Sequence, residues 1–245
     1  MLEGMYSAAA GMAAQQQRLD ALSNDVANVG TVGYRRQRIA FRDLVYSPSG
    51  PGGQAGVMEG AGAAAVTIGR GGAGATYKST GGPLDVAIEG DAYLQVRRPD
   101  GTTALTRNGA LTLDVNRRLL ADGLPLQPPV RIPDGVDERQ VTIAPDGRVL
   151  AEGGRQIGRI TLFSVRASDR LMPVGGNLFV TTDASGPATR AGADATLRQG
   201  VVESSDVDLG DVMADMIVTQ RAYQLASRAI STQDEMAQIA NGVKR

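Results

Sequence analysis

Three clusters in the sequence carry residue types and spacings that could do chemistry. Gly69, Gly71 and Gly74 spell G-x-G-x-x-G after the strand-like run Ala65 to Ile68, with Glu89 about twenty residues on. That pattern seats a pyrophosphate on a helix N-terminus only if a helix opens at the third glycine. Here Lys78 to Pro83 reads Lys-Ser-Thr-Gly-Gly-Pro, which cannot carry a helix onward, so no nucleotide site is expected. Asp206, Asp208, Asp211 and Asp215 could gather as carboxylate ligands for a metal. Acidic residues complementing the N-terminus of a helix explain all four without an ion. Arg35, Arg36, Arg38 and Arg42 alternate with Ile39, Phe41 and Leu44, a pattern that could touch phosphates. The formal net charge is -1 and no matching basic face accompanies them, so they read as a solvated or inter-subunit face and no nucleic-acid partner is expected.

Composition removes most of the remaining chemistry. The chain contains no histidine and no cysteine, which eliminates the usual general base, thiolate nucleophiles, disulfides and Cys- or His-ligated metals. Acids are plentiful, so a carboxylate-pair glycosidase stays open. We expect no enzyme, no cofactor and no metal. No stretch approaches the roughly 20 apolar residues of a membrane span, and the N-terminus lacks the basic region and apolar run of a secretory signal.

The elements that organise the chain lie at its two ends. Met1, Met5, Ala8, Met12, Gln15, Leu19, Leu22, Val26 and Val29 recur in alternating steps of four and three, the seam of a coiled coil. Leu209, Val212, Met216, Thr219, Tyr223, Ala226 and Ile230 repeat those steps near the C-terminus. Each seam carries one polar position, Gln15 and Thr219, of the kind that fixes register. The spacing predicts a helix from Met1 to Val29, closed by left-handed Asn28 and Gly30, and a second from Asp208, its N-cap. Gly4 and Gly11, with the surrounding alanines, predict close approach of neighbouring backbones. A second apolar stripe, Met213, Ile217 and Leu225, lies off the C-terminal seam and marks a further protein contact.

Between the ends, Ser47 to Gly82 is dense in glycine, alanine and proline and reads as a poorly packing connection. Leu84 to Val180 is punctuated by Asp100-Gly101, Asn108-Gly109, Asp122-Gly123, Asp134-Gly135 and Asp146-Gly147, a spacing expected of short antiparallel strands. Gly186 to Gly200 reads as loop, with Val201 and Val202 leading into the last helix. The fold class is therefore α+β, with terminal helices paired as a coiled coil and a central all-β domain. The expected boundaries are 1–40 with 205–245 for the helical domain, 41–82 for the extended segment and 83–204 for the β domain.

Several stretches resemble one family. Leu22 to Arg35 (LSNDVANVGTVGYR) is similar to the "NNLANVNTxGFK" signature of bacterial flagellar rod and hook proteins, and Thr80 to Ile88 (TGGPLDVAI) resembles their "TxxPLDVAI" element. Leu105 to Gly109, Ser204 to Asp208, Gln220 to Tyr223 and Ile230 to Thr232 follow in the family's order as "YTRxG", "SNVD", "QRAY" and "IST". Phe41 to Tyr46 is similar to distal-rod members, whereas the short span from Tyr46 to Asp85 keeps proximal-rod members open. The length leaves no room for the outer domain of hook proteins.

The resemblance implies an axial structural subunit of the flagellar basal body. Such a subunit is exported without a cleaved signal by the flagellum's type III apparatus and polymerises into a hollow rod that transmits torque. It implies as partners further copies of the chain, other rod and hook subunits and flagellar ring proteins, with no membrane insertion. Met5, Met12, Leu19, Leu22, Val26, Leu209, Val212, Met216, Tyr223 and Ile230 are the expected packing residues. Helices seamed by alanine, methionine and glutamine bury little area alone, which predicts ordering on assembly. A competing expectation is a β-domain binding module on a stable coiled-coil stalk, which would not polymerise.

Overall fold

Alanine and long unbranched side chains favour helix, and the first element is α1, Leu2–Ala27. The structure, a computed structural model, describes residues 2–44, 46–48, 58–71 and 76–243. The second helix, α2, runs Leu209–Val243 and closes the described chain. Asp208 caps it as predicted: its Oδ1 accepts from the backbone N–H of Gly210 at 2.8 Å and of Asp211 at 3.1 Å. The predicted left-handed cap of α1 is corrected. Neither Asn28 nor Gly30 has positive φ; a turn with Thr31 N–H donating to Asn28 O ends the helix, and the left-handed residue is Gly33 at φ 66°.

Among the described residues, twenty short strands lie between the two helices in sequence. They are β1 (Gln37–Asp43), β2 (Tyr46–Pro48), β3 (Met58–Gly60), β4 (Ala63–Arg70), β5 (Tyr77–Ser79), β6 (Val86–Glu89), β7 (Tyr93–Arg97), β8 (Thr103–Thr106), β9 (Thr112–Leu113) and β10 (Leu119–Ala121). Then follow β11 (Leu124–Pro125), β12 (Thr142–Ile143), β13 (Arg148–Leu150), β14 (Gln156–Arg159), β15 (Leu162–Ser164), β16 (Met172–Gly175), β17 (Leu178–Val180), β18 (Thr189–Arg190), β19 (Thr196–Gln199) and β20 (Val201–Glu203). The molecule is α+β. It divides into two compact units: a helical unit of residues 1–27, 37–68 and 208–245, and a β unit of residues 28–36 and 69–207.

In the helical unit the two helices are antiparallel. A Cβ on Gly4 would stand 2.6 Å from Gln233, and Arg18 pairs with Asp215 at 3.2 Å, so residue numbers fall along α2 as they rise along α1. The expected close approach of backbones at these glycines is corrected: Gly4 makes room for the Gln233 side-chain amide, and Gly11 faces open space. The ribbon β1–β4 completes the unit, with the Arg18 guanidinium 5.7 Å from the Phe41 ring centre.

The β unit has a six-stranded antiparallel sheet, ordered β16-β17-β8-β7-β15-β18, with smaller antiparallel sheets around it. Its core is continuous: Val86, Ile88, Leu94, Val96, Leu119, Ile132 and Val149 have no exposed surface. Asp122 and Gly123 both take positive φ in the β10–β11 hairpin, the two-residue turn their types favour. Asn108-Gly109 is corrected, because it makes no hairpin. Gly109 lies so close to β6 that a Cβ there would collide with the Val86 carbonyl, and Gly109 O accepts from Val86 N–H. The stretch expected as loop, 186–200, carries β18 and β19, the latter pairing with β6 over four residues. Val201 and Val202 are likewise strand, pairing with Ser79 and Lys78. Their partners sit more than a hundred residues away, which local composition does not reveal.

Candidate assembly surface and the clasp in the β unit

Along the helix pair, burial follows the predicted seams unevenly. Leu22 and Val212 are buried, Met5, Met12, Leu19, Val26, Met216, Tyr223 and Ile230 are half-buried, and Leu209 is exposed. The deepest residues of α2 are Val212 and Thr219, each 1% exposed. The expectation that Thr219 fixes register across the pair is corrected: its hydroxyl donates to Asp215 O of its own helix at 2.7 Å.

The far side of α2 carries a run of uncovered apolar side chains, with Arg221, Arg228 and Glu235 exposed among them. Met213, Ile217, Val218, Leu225, Met236 and Ile239 are 51–67% exposed. At 100° per residue they lie about 100–240° round the helix from Val212, so they form one stripe turned away from the seam. The sequence marked its first members, Met213, Ile217 and Leu225. It missed Met236 and Ile239, which lie beyond the last seam residue it identified, Ile230. On α1 the outward residues are small or polar, including Ala9, Ala13, Gln17 and Asp20, with Tyr6 as the large exception.

The β unit holds a buried ion pair. Arg107 and Glu203 are each 2% exposed and pair at 2.7 Å through Arg107 Nε and Glu203 Oε2. The remaining Arg107 donors serve the carbonyls of Ile88 at 3.0 Å, Gly90 at 3.0 Å and Ala92 at 2.7 Å, and the guanidinium lies 5.6 Å from the Tyr93 ring centre. Arg35 takes the other Glu203 oxygen at 2.7 Å, and Gly33 N–H donates to Glu203 O. Gly33 is required twice over: its φ is positive, and a Cβ would lie 2.7 Å from the Arg107 backbone.

Two connections therefore meet at one carboxylate, the segment leaving α1 and the segment entering α2. Asp206 adds to the join by accepting from Arg36 N–H at 2.7 Å while its own N–H donates to Tyr34 O. This narrows the reading of the arginine run as a solvated or inter-subunit face to Arg38 and Arg42. Arg35 is engaged with Glu203, Arg36 is half-buried, and only Arg38 and Arg42 are exposed. Burial raises the Tyr93 hydroxyl above its ordinary pKa, with Asp91 adding to the rise and Arg107 opposing it.

The chemical readings of the motifs find no support in this geometry. Gly69 lies within β4, Gly71 N–H donates to Arg36 O and the next described element is strand β5; Gly74 lies outside the described residues. Asp206 and Asp208 are occupied by backbone donors, and Asp215 by Arg18. What the arrangement can do is pack: one helix face finished with apolar side chains, on a chain whose other unit is already closed.

Comparison with known proteins names the class that this layout belongs to. The family model described as flagella basal body rod protein matches residues 5–35, that of the flagellar hook protein FlgE/F/G D1 domain matches 87–151, and that of the flagellar basal body rod FlgEFG protein C-terminal region matches 198–243. The flagellar basal-body rod protein FlgG of Borreliella burgdorferi is 34% identical over the whole of both chains. FlgG of Caulobacter vibrioides is 36% identical, over 99% of this chain and all of the relative. The rod protein FlgF of Mesorhizobium japonicum is 29% identical over 96% of each chain. The chain belongs to the flagellar basal-body rod protein family. It is a structural subunit of that kind, and no helix among the described residues is long and apolar enough to cross a membrane.

Proposed function

We propose that this chain polymerises with copies of itself into the hollow axial rod of the flagellar basal body and passes motor torque toward the hook. The observation that carries the reading is the exposed apolar stripe of α2, which lies opposite the side turned to α1 and has no counterpart within the chain among the described residues. In this reading the terminal segments, 1–40 with 205–245, form an inner coiled-coil domain. Residues 41–82 are an extended segment and 83–204 the outer β domain. The seam residues named from the sequence hold the helices together, while the stripe joins subunits. Partners are other rod and hook subunits and the flagellar rings, and export proceeds unfolded without a cleaved signal. Identity over the full chain is higher to FlgG relatives than to the FlgF relative, which favours the distal-rod type.

Sedimentation velocity over a concentration series, with electron microscopy of the sedimenting material, tests this. Concentration-dependent growth into rods that Leu225→Asp abolishes, with the β unit still folded, is the expected result. A discrete particle at every concentration would overturn it and favour the stalked binding module.

A further inference from the structure

The helical unit carries a socket as well as a stripe. Between α1 and the β1–β4 ribbon lies an open groove of about 510 Å³, lined about equally by apolar side chains, Ala21, Ile39, Ala65 and Val66, and by polar ones, among them Gln17 and Asp20 of α1. Asp20 is exposed and accepts one hydrogen bond, from Gln16 at 2.9 Å, through Oδ1. The stripe on α2 has a matching pattern. Ile217, Arg221, Leu225 and Arg228 follow one another in steps of four, four and three, which sets them on one line of the helix surface and alternates apolar and basic side chains. All four are exposed, and neither arginine has an ion-pair partner among the described residues.

We infer that the groove between α1 and the β1–β4 ribbon receives the α2 stripe of a second copy. In that contact Ile217 and Leu225 lie against the apolar side chains of the groove, and Arg221 or Arg228 pairs with Asp20. Three observations select this occupant. The groove sets small and apolar side chains beside polar ones and a carboxylate, the complement of a ridge that alternates apolar and basic side chains. Packing two α2 stripes back to back in parallel register would instead set Arg221 and Arg228 against their own copies, which like-charge repulsion opposes. Socket and ridge are also different surfaces of the same chain, so the contact is heterologous and each addition presents a fresh socket and a fresh ridge. This inference rests on the self-assembly proposed above and assigns the surfaces that carry it.

The absence of native cysteine makes cross-linking a clean test. Copies bearing Gln17→Cys and copies bearing Leu225→Cys, carrying different tags, are mixed, assembled and oxidised, and the melting of the β unit is recorded for each variant as a folding control. The expected result is a disulfide-linked dimer containing both tags. In parallel, Asp20→Arg should raise the concentration needed for assembly by about tenfold, and adding Arg221→Asp to it should restore assembly. Rods that form without the mixed cross-link, or that link Leu225→Cys copies to each other, would overturn the assignment while leaving self-assembly standing. Failure of the unaltered chain to form rods at all would overturn both.

Discussion

The two units of this chain spend their apolar residues in opposite ways. In the β unit, large aliphatic side chains from strands far apart in sequence converge until seven of them have no exposed surface. In the helical unit, burial is limited to a few positions such as Ala14, Leu22 and Val212, while large apolar side chains run along the outside of α2. Apart from Val29, Val115 and Met172, every exposed large hydrophobic residue among the described residues belongs to the helical unit. Removing apolar surface from water stabilises by roughly 25 cal/mol per Å², so the β unit realises that stabilisation within one chain and the helical unit leaves much of it unrealised. On the proposed assembly, the difference means that the β unit is finished as a monomer and the helical unit by a neighbour.

Both units bury charge, Asp25 in the helical unit and a salt-bridged pair in the β unit. The β unit buries a full ion pair, Arg107 with Glu203, and satisfies the guanidinium with three carbonyls. Breaking such a pair leaves an uncompensated buried charge, so Arg107→Ala should lower the unfolding free energy of the β unit by about 3–5 kcal/mol. Chemical denaturation followed on the β unit measures it; a loss below about 1 kcal/mol would show that the clasp does not hold the strands it joins. Next in size, Leu94→Ala in the fully buried core should cost about 2–5 kcal/mol, whereas Leu225→Ala on the exposed stripe should change the stability of the dilute subunit by no more than about 0.5 kcal/mol. The second variant should nevertheless weaken self-association, a split that thermal melting and sedimentation read separately. Equal costs at the two sites would erase the distinction between the units.

A smaller effect belongs to the helix cap. Replacing Asp208 by alanine removes the acceptor for two backbone donors and should cost α2 about 1 kcal/mol, seen as lower helicity by circular dichroism. The smallest effect is acid sensitivity in the turns of the β unit. Asp100, held by the Thr102 hydroxyl, Asp114, held by the Arg118 backbone N–H, and Asp146, held by the Arg148 backbone N–H, have carboxyl pKa values lowered from an ordinary 3.8. A lowered folded-state value means stability that is present above the unfolded value and lost as pH falls through the folded one. The melting temperature of the β unit should therefore be insensitive to these groups from pH 7 to 5 and decline modestly below about pH 4. The triple variant to asparagine should flatten that acid decline.

Where the chemistry was local, the sequence was legible. Both helices, the Asp208 cap and the Asp122-Gly123 hairpin follow from periodicity and turn residues, and the family was readable from ordered motifs. What escaped was long-range. Strands β18 to β20 pair with partners distant in sequence, and their short runs look like loop until β6, β5 and β15 are placed beside them. Glu203 carries no sequence signal of its own, because a glutamate ahead of a helix reads as solvated until Arg107 and Arg35 converge on it. Its only trace was positional: Arg107 stands within the "TRxG" element and Glu203 immediately before "SSDVD". Asn108-Gly109 misled for the same reason, since a glycine required by close approach to β6 is indistinguishable in sequence from one required by a turn.

Hydrogen exchange resolved by peptide, on the dilute subunit and again after assembly, tests the central claim most directly. The account predicts that α1 and α2 exchange far faster than β6 to β8 in the dilute subunit and gain protection on assembly, while the β unit changes little. Helices as protected as the β core in a dilute, non-assembling particle would contradict it.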